Sequence, residues 1–352
     1  MVGLGVDWLA VGGVTDDEIE RLRAFGLQTA ADVLQFRVAD LADKLQMPLE
    51  RALAVVKAAR GHPRTAYSDN EAAGPISTST LLLPSDLQGI LASDLIRQRR
   101  SSPFKPIVSM CPDLDRILGG GFAIGLLTEI CGLPGLGKTQ LCMQLACTVQ
   151  IPQTMQGNQG EAIYIDCEGS LVAQRQLQIA EALCAILQKS GNAISAETML
   201  SRIHVYRVFN AVQQQSVIRV LPAFLAEHPN VRLLIIDSVA FHMRHGVPDL
   251  SQRTRLLASM AQQLTFLAQK FHLAVIMTNQ MAIAADRASL VPALGPSWAH
   301  HSNHRIVLEP AEAGASTMAK LVKSPSHPPG QAEFAITKAG IRTPARSPLS
   351  AG

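Results

Sequence analysis

Along most of the chain, short unbroken apolar runs alternate with longer stretches in which apolar positions recur every three or four residues. The clearest runs are Ala162–Asp166, His204–Arg207, Leu233–Asp237 and Leu273–Asn279, preceded by a shorter one at Leu126–Cys131. Continuous hydrophobicity over so few residues marks strands buried on both faces, as in a parallel sheet covered by helices. The helical-period stretches between them supply that cover. Residues 103–339 therefore read as one α/β core with a mostly parallel central sheet flanked by helices.

The first 60 residues follow the helical period alone. Asp16 or Asp17 can cap a helix running to Phe25 and closed by Gly26, and Thr29 can cap Ala30–Phe36. Two shorter amphipathic segments follow, Val38–Leu45 and Pro48–Arg60, so residues 1–60 form a small all-α N-terminal domain, helix-hairpin-helix in kind. Residues 61–102 read as a linker rich in Gly, Pro, Ser and Thr, with one further helix over 85–100. The tail from Gly340 to Gly352 is rich in Pro and Ser and reads as disordered.

Composition narrows the class. The 352 residues suffice for one large domain and one small one, and 47% hydrophobic with only 4% aromatic residues predicts an aliphatic core. No apolar run approaches the ~20 residues of a membrane span, and the start, with Asp7 and no basic segment, lacks a signal peptide, which predicts a soluble intracellular protein without a membrane partner. A net charge of +3 is too mild to imply nucleic acid, so any basic surface must be local. The six cysteines show no C-x-x-C pair and read as reduced core residues. His300, His301 and His304 lack the neighbouring Cys or carboxylate that a metal cluster needs.

The candidate chemistry begins at the end of the first short run. Gly132, Leu133, Pro134, Gly135, Leu136, Gly137, Lys138 and Thr139 fit the phosphate-binding pattern G-x-x-x-x-G-K-[ST], and Gln140 opens the helical stretch behind them. Strand, glycine loop and helix is the context that this pattern requires. Glycines leave backbone N–H groups free to face phosphates, and the helix N-terminus adds partial positive charge. Lys138 then reaches the β/γ-phosphates of a nucleoside triphosphate, and Thr139 holds Mg²⁺ together with Asp237, the carboxylate that ends the run Leu233–Ile236. Glu168 follows the strand ending at Asp166. It either orients the water attacking the γ-phosphate or serves as a helix-start carboxylate. Gln280, at the tip of Thr278-Asn279-Gln280, either senses the γ-phosphate or merely ends a strand. Two loops, 241–250 and 281–297, leave the same edge carrying Arg244 and Arg287, with Arg253 just beyond the first; arginines there suit phosphate contact.

The order of these motifs resembles the RecA/RadA-type recombinase family, in its eukaryotic Rad-fifty-one branch and nearest to the C paralogue. The likeness is carried by Leu114-Asp115-Arg116-Ile117-Leu118-Gly119-Gly120-Gly121, Tyr164-Ile165-Asp166-Cys167-Glu168-Gly169, Asp249–Leu257, Leu290–Trp298 and Lys323-Ser324-Pro325-Ser326. The resemblance implies a RecA-like ATPase core, ATP and Mg²⁺ as cofactors, DNA-stimulated hydrolysis and a role in homologous recombination repair of DNA double-strand breaks. It implies Glu168 as the catalytic glutamate, Gln280 as the γ-phosphate sensor and Arg175 as the residue packing on adenine. It further implies Lys323 to Pro325 as a cap supplied to a neighbouring subunit's nucleotide, and the two loops as DNA-binding. Residues 61–102 contain no Phe, so the family's Phe-x-x-Ala polymerisation motif is absent. The expected function is therefore that of an ATP-binding paralogue in a hetero-oligomer with other paralogues. It binds single-stranded or branched DNA, helps load the main strand-exchange recombinase and hydrolyses ATP slowly, in the nucleus with the cytoplasm as a second compartment. A strand-exchange enzyme forming its own filament, and a scaffold with a purely structural nucleotide site, stand as the alternatives.

Overall fold

The computed structural model describes residues 14–27, 30–33, 36, 38–60, 91–247, 249–283, 290–311 and 316–344. The chain divides into two compact units, Met1–Gln88 and Gly89–Gly352.

In the first unit, helices α1 (Asp16–Ala24), α2 (Ala30–Val33), α3 (Val38–Leu45) and α4 (Leu49–Arg60) enclose a small core of Ile19, Leu22, Val33, Leu41, Val55 and Val56. Neither Asp16 nor Asp17 caps α1. Thr15 holds the N-cap in extended conformation and its N–H donates to Glu18 Oε2 at 2.9 Å, which leaves the two aspartates in the first turn, where the helix dipole favours them. Glu18 also accepts from Arg51 Nε and Nη2 at 2.7 and 2.6 Å, joining α1 to α4, and these bonds pull its pKa from 4.5 to about 2. Thr29, the expected cap of the second helix, lies outside the described residues.

The second unit begins with α5 (Ala92–Ser101) and α6 (Pro112–Ile117) and continues as β1 (Leu127–Gly132), α7 (Lys138–Thr148), β2 (Glu161–Asp166), α8 (Ala173–Lys189), α9 (Ala196–Ser201), β3 (Ile203–Arg207), α10 (Ala211–Glu227), β4 (Val231–Asp237), α11 (Ala240–His245), α12 (Leu250–Lys270) and β5 (Ala274–Asn279). It ends with β6 (Met281–Ile283), β7 (Leu290–Pro292), α13 (Gly295–Ala299), β8 (His304–Pro310), β9 (Thr317–Lys323), β10 (Gly330–Thr337) and β11 (Gly340–Arg342). The main sheet has nine strands in the order β11-β10-β9-β8-β1-β5-β4-β2-β3. From β8 to β3 the neighbours are parallel, and β9, β10 and β11 extend the sheet antiparallel.

Burial follows that division. Every residue of β1 and β5 is buried, whereas β8 and β9 alternate, as strands with one wet face should. Alternate residues of the parallel strands feed two cores. Ile163, Ile165, Leu234, Ile236 and Val275 pack with Ile218, Leu221, Leu257 and Leu264 of α10 and α12. Tyr164, Leu233, Ile235, Ile130 and Ile276 pack with Leu141, Cys142 and Leu145 of α7. All six cysteines are free, and five of them are buried.

Three further expectations change, the first at 281–297, which is not a plain loop because β6, β7 and the start of α13 lie within it. The tail does not begin at Gly340: β11 continues the sheet, Ile341 is fully buried, and its N–H donates to Gln144 Oε1 at 3.0 Å. The short polar sequence concealed a strand that is held by one helix side chain. The segment 241–250 is not a plain loop either, because α11 occupies its first half. His242 pairs with the Val208 carbonyl at 3.1 Å, and Met243 and Val247 are buried, which gives so short a helix a face to pack.

Candidate functional site

The C-terminal ends of β1, β2, β4 and β5 meet at one edge, the place where parallel α/β sheets bind ligands. There a cavity of about 280 Å³ is lined by Pro134, Gly135, Gly137, Lys138, Thr139, Gln140, Glu168, Asp237, Gln280 and Ile336. All of these except Ile336 and Pro134 through Gly137 carry polar side chains, and the loop residues instead present backbone. Gly137 is the N-cap of α7 with φ 87°, and a Cβ there would meet Ile336 Cδ1 at 2.5 Å, so this turn of the loop needs glycine twice over. Leu133 and Leu136 complete the loop, Leu133 exposed and Leu136 half-buried.

The inner wall is built around Asp237. Its Oδ2 accepts from Thr139 Oγ1 at 2.7 Å and Tyr164 OH at 2.7 Å, and its Oδ1 accepts from Thr278 Oγ1. These hydroxyls arrive from α7, β2 and β5, so three elements fix one carboxylate. Burial, reinforced by Asp237, pushes the Tyr164 phenol well above its ordinary pKa, which keeps it a proton donor. A hydroxyl and a carboxylate in contact at the start of a phosphate-binding helix form the hard-oxygen pair that suits Mg²⁺, so Thr139 and Asp237 fit that ion. Lys138 Nζ donates to the carbonyls of Gly132 and Leu133 at 2.8 and 3.0 Å, folded against its own loop. Burial lowers its pKa, and Asp237 and Glu168 oppose the shift.

The outer wall is looser and exposed. Glu168 Oε1 accepts from Ser238 Oγ and from Gln280 Nε2, the latter at 3.1 Å. Gln280 Oε1 in turn accepts from Arg244 Nη1 at 3.3 Å. Three of the residues singled out from the sequence thus stand in one hydrogen-bonded series running from the cavity to α11. Arg175, expected at the base, donates from Nε to Gln140 Oε1 at 2.7 Å and from its guanidinium to the carbonyls of Thr337 and Lys338 at 2.6 and 2.8 Å. It tethers α8 to α7 and to the β10–β11 turn. Arg253 sits on the first turn of α12, away from the cavity lining, and Arg287 lies outside the described residues. Lys323 donates to the carbonyls of Ala299, His300 and Ser302, closing the end of α13.

Several residues of this edge had no role assigned from the sequence. Glu129, in the middle of β1 and fully buried, accepts at Oε1 from Asn279 Nδ2 (2.6 Å) and Trp298 Nε1 (3.0 Å). Its Oε2 accepts from Arg305 Nε and Nη2 at 2.8 and 2.6 Å and from Ser302 Oγ at 3.3 Å. Asn279 precedes Gln280, Trp298 belongs to α13, and Arg305 to β8, so one carboxylate ties the end of β5 to the segment after the second loop. The family resemblance touched Glu129, Trp298 and Arg305 separately, and their pairing has no meaning until the strand order is known.

Comparison with known proteins agrees with this geometry. The Rad51 family profile matches residues 101–344. The DNA repair protein RAD51 homolog 3 of Cricetulus griseus is 38% identical over 336 residues, covering 92% of this chain and 88% of that protein. The protein of the same name in Dictyostelium discoideum is 37% identical over 267 residues, covering 72% and 69%. The DNA repair and recombination protein RadA of Aeropyrum pernix is 32% identical over 250 residues, covering 69% and 75%. A phosphate-binding loop after β1, a carboxylate set on β4 and a polar tip on β5, all within the matched span, make this chain a member of the Rad51 family of RecA-like recombination and repair proteins.

Proposed function

We propose that this protein is an ATP-binding recombinase paralogue that works in homologous recombination repair of double-strand breaks as a subunit of a hetero-oligomer. It binds single-stranded or branched DNA, assists loading of the main strand-exchange recombinase, and hydrolyses ATP slowly with Mg²⁺. The observation that carries this reading is the series Glu168–Gln280–Arg244. A residue at the γ-phosphate end of the cavity touches a glutamine that touches an arginine facing solvent, so occupancy of the cavity and contact at α11 can bias each other. The γ-phosphate and its Mg²⁺ supply the charge to which such a sensor responds. Lys138 and the loop N–H groups bind and orient the phosphates, Thr139 and Asp237 would hold the ion, and Glu168 positions the attacking water and takes its proton.

The partner assignment rests on the linker. Without any Phe in residues 61–102, a subunit lacks the side chain that would dock into a like subunit, which favours a mixed assembly over a filament of this chain alone. The family's adenine contact is assigned to Arg175, its DNA contacts to Arg244, Arg253 and Arg287, and its compartment to the nucleus with the cytoplasm as a second site. Among the described residues, no helix is long and apolar enough to cross a membrane. Size-exclusion and electron microscopy of the purified chain with ATP and single-stranded DNA test the reading. A discrete low-order species is expected, and long filaments of this chain alone would overturn it.

A further inference from the structure

At the opposite end of the sheet, one strand length or about 17 Å from the nucleotide edge, lies a second cluster of chemistry-bearing side chains. Glu161 opens β2, His204 lies on β3, and His228 caps the C-terminal end of α10. Their ligand atoms all lie within 4.8 Å of one another. We propose that Glu161, His204 and His228 form a zinc site that clamps the outermost strand of the parallel sheet to α10.

The donor set is the first argument. Two imidazoles and one carboxylate suit zinc, which takes three protein ligands and a water at open sites. Ligands of a tetrahedral zinc stand about 3.3 Å apart, as bonds of 2.0–2.2 Å require. His204 Nε2 and Glu161 Oε2 stand 2.8 Å apart as a hydrogen-bonded pair, so an ion replacing the shared proton needs them to open by only about 0.5 Å while His228 closes in.

The second argument is preorganisation. The Glu161 N–H donates to Asn230 O at 2.9 Å, the His228 N–H to Phe224 O at 2.9 Å, and the Val231 N–H to His228 O at 3.2 Å. The turn carrying His228 is thereby fixed to the strand carrying Glu161. The His228 ring stacks on Phe224 with centroids 4.1 Å apart, and the His204 ring meets Phe224 edge-on at 5.1 Å. That phenyl orients both imidazoles on one side of the cluster. The two imidazole rings stand 5.0 Å apart, and no hydrogen bond to a ring nitrogen of His228 occurs among the described residues. The His228 ring nitrogens thus have no protein partner among the described residues and remain open to an ion. A simple His204–Glu161 hydrogen bond has no use for His228.

The site stands apart from the Mg²⁺ ligands in both place and chemistry, so its failure would leave the nucleotide reading intact. The clamp acts on β3, whose burial is only partial along its length. The test uses the full chain stripped of metal and kept in Mg²⁺. Zinc titrated against a chromophoric chelator should occupy one tight site per chain and raise the melting temperature by several degrees. Cobalt substituted for zinc should give the visible absorption of a four- or five-coordinate ion. His228→Gln should weaken zinc binding at least tenfold and abolish the thermal shift while leaving the metal-free melting temperature and ATP binding unchanged. His204→Gln should do the same to zinc, and His301→Gln should leave it untouched. Equal zinc affinity and thermal shift in His228→Gln and wild type would overturn the proposal, as would wild-type binding no tighter than that of dispersed surface histidines.

Discussion

The two walls of the nucleotide cavity differ in how firmly their carboxylates are held. Asp237 is buried and accepts from four hydroxyls, and on the opposite face of the sheet Glu129, fully buried, accepts from four side chains. Glu168 is exposed and shares a serine and a glutamine, and that glutamine's own link to Arg244 is long. Satisfied polar networks in a dry interior are rigid, whereas exposed bonds exchange readily with water. In the proposed reading, the firm wall would set the position of the ion and phosphates, and the looser wall would rearrange with the γ-phosphate.

The largest effect should come from breaking the buried network that backs the rigid wall from the other face of the sheet. Glu129→Ala removes the partner of Arg305, which is 12% exposed at its side chain, and strips acceptors from Asn279 and Trp298. Removing one half of a buried pair typically costs about 3–5 kcal/mol. In a domain of this size that lowers the melting temperature by roughly 10 °C. Calorimetry of the variant checks it. A melting temperature near wild type would mean that this buried network is not rigid, and the contrast with the exposed wall would lose its firm side.

How much of this was legible in the sequence differs between the two walls for a physical reason. The phosphate loop, Asp237, Glu168 and Gln280 were readable because their chemistry fixes both residue type and local spacing. Strands β2, β4 and β5 appeared within one or two residues of their expected bounds, because double-sided burial leaves a continuous apolar run, and β3 appeared within one although it is only partly buried. Glu129, Trp298 and Arg305 were not readable as a group. Their partnership depends on β1 lying between β5 and β8, a strand order that no local pattern encodes. The same holds for Arg175, whose carbonyl partners Thr337 and Lys338 lie beyond residue 330 at a turn that the tail's polar composition concealed. The Glu161, His204 and His228 cluster stayed hidden likewise, since its members come from three separated elements.

The next effect belongs to the looser wall. Glu168→Gln should keep nucleotide binding within about twofold while reducing turnover by at least ~100-fold, the usual share of a positioned general base. Single-turnover hydrolysis, with binding measured separately by a fluorescent nucleotide, separates the two. Equal rates would remove Glu168 from catalysis. Lys138→Ala lies between the walls. Its ammonium bonds only to loop carbonyls here, so the variant should fold normally yet bind ATP roughly tenfold or more weaker, through loss of a charge-assisted contact to phosphate. A stable variant with unchanged ATP affinity would show that the lysine stays folded against its loop when nucleotide is present.

The smallest effect is the most informative about signalling. Arg244 is exposed and, among the described residues, its side chain bonds to Gln280 Oε1, so Arg244→Ala should leave the melting temperature unchanged and the ATPase rate without DNA within about twofold. If Arg244 contacts DNA and transmits that contact through Gln280, the variant should lose most of the rate increase that single-stranded DNA produces. Weaker DNA binding alone would give the same loss at low DNA concentration, so the measurement must be repeated at saturation. The decisive comparison is a double-mutant cycle with Gln280→Ala. Residues in one hydrogen-bonded series share their effect, so the double variant should be no worse than the worse single one at saturating DNA. Additive losses would mean that Arg244 and Gln280 act independently. The exposed wall would then be two unconnected contacts, and the hydrogen bond between them would carry no signal.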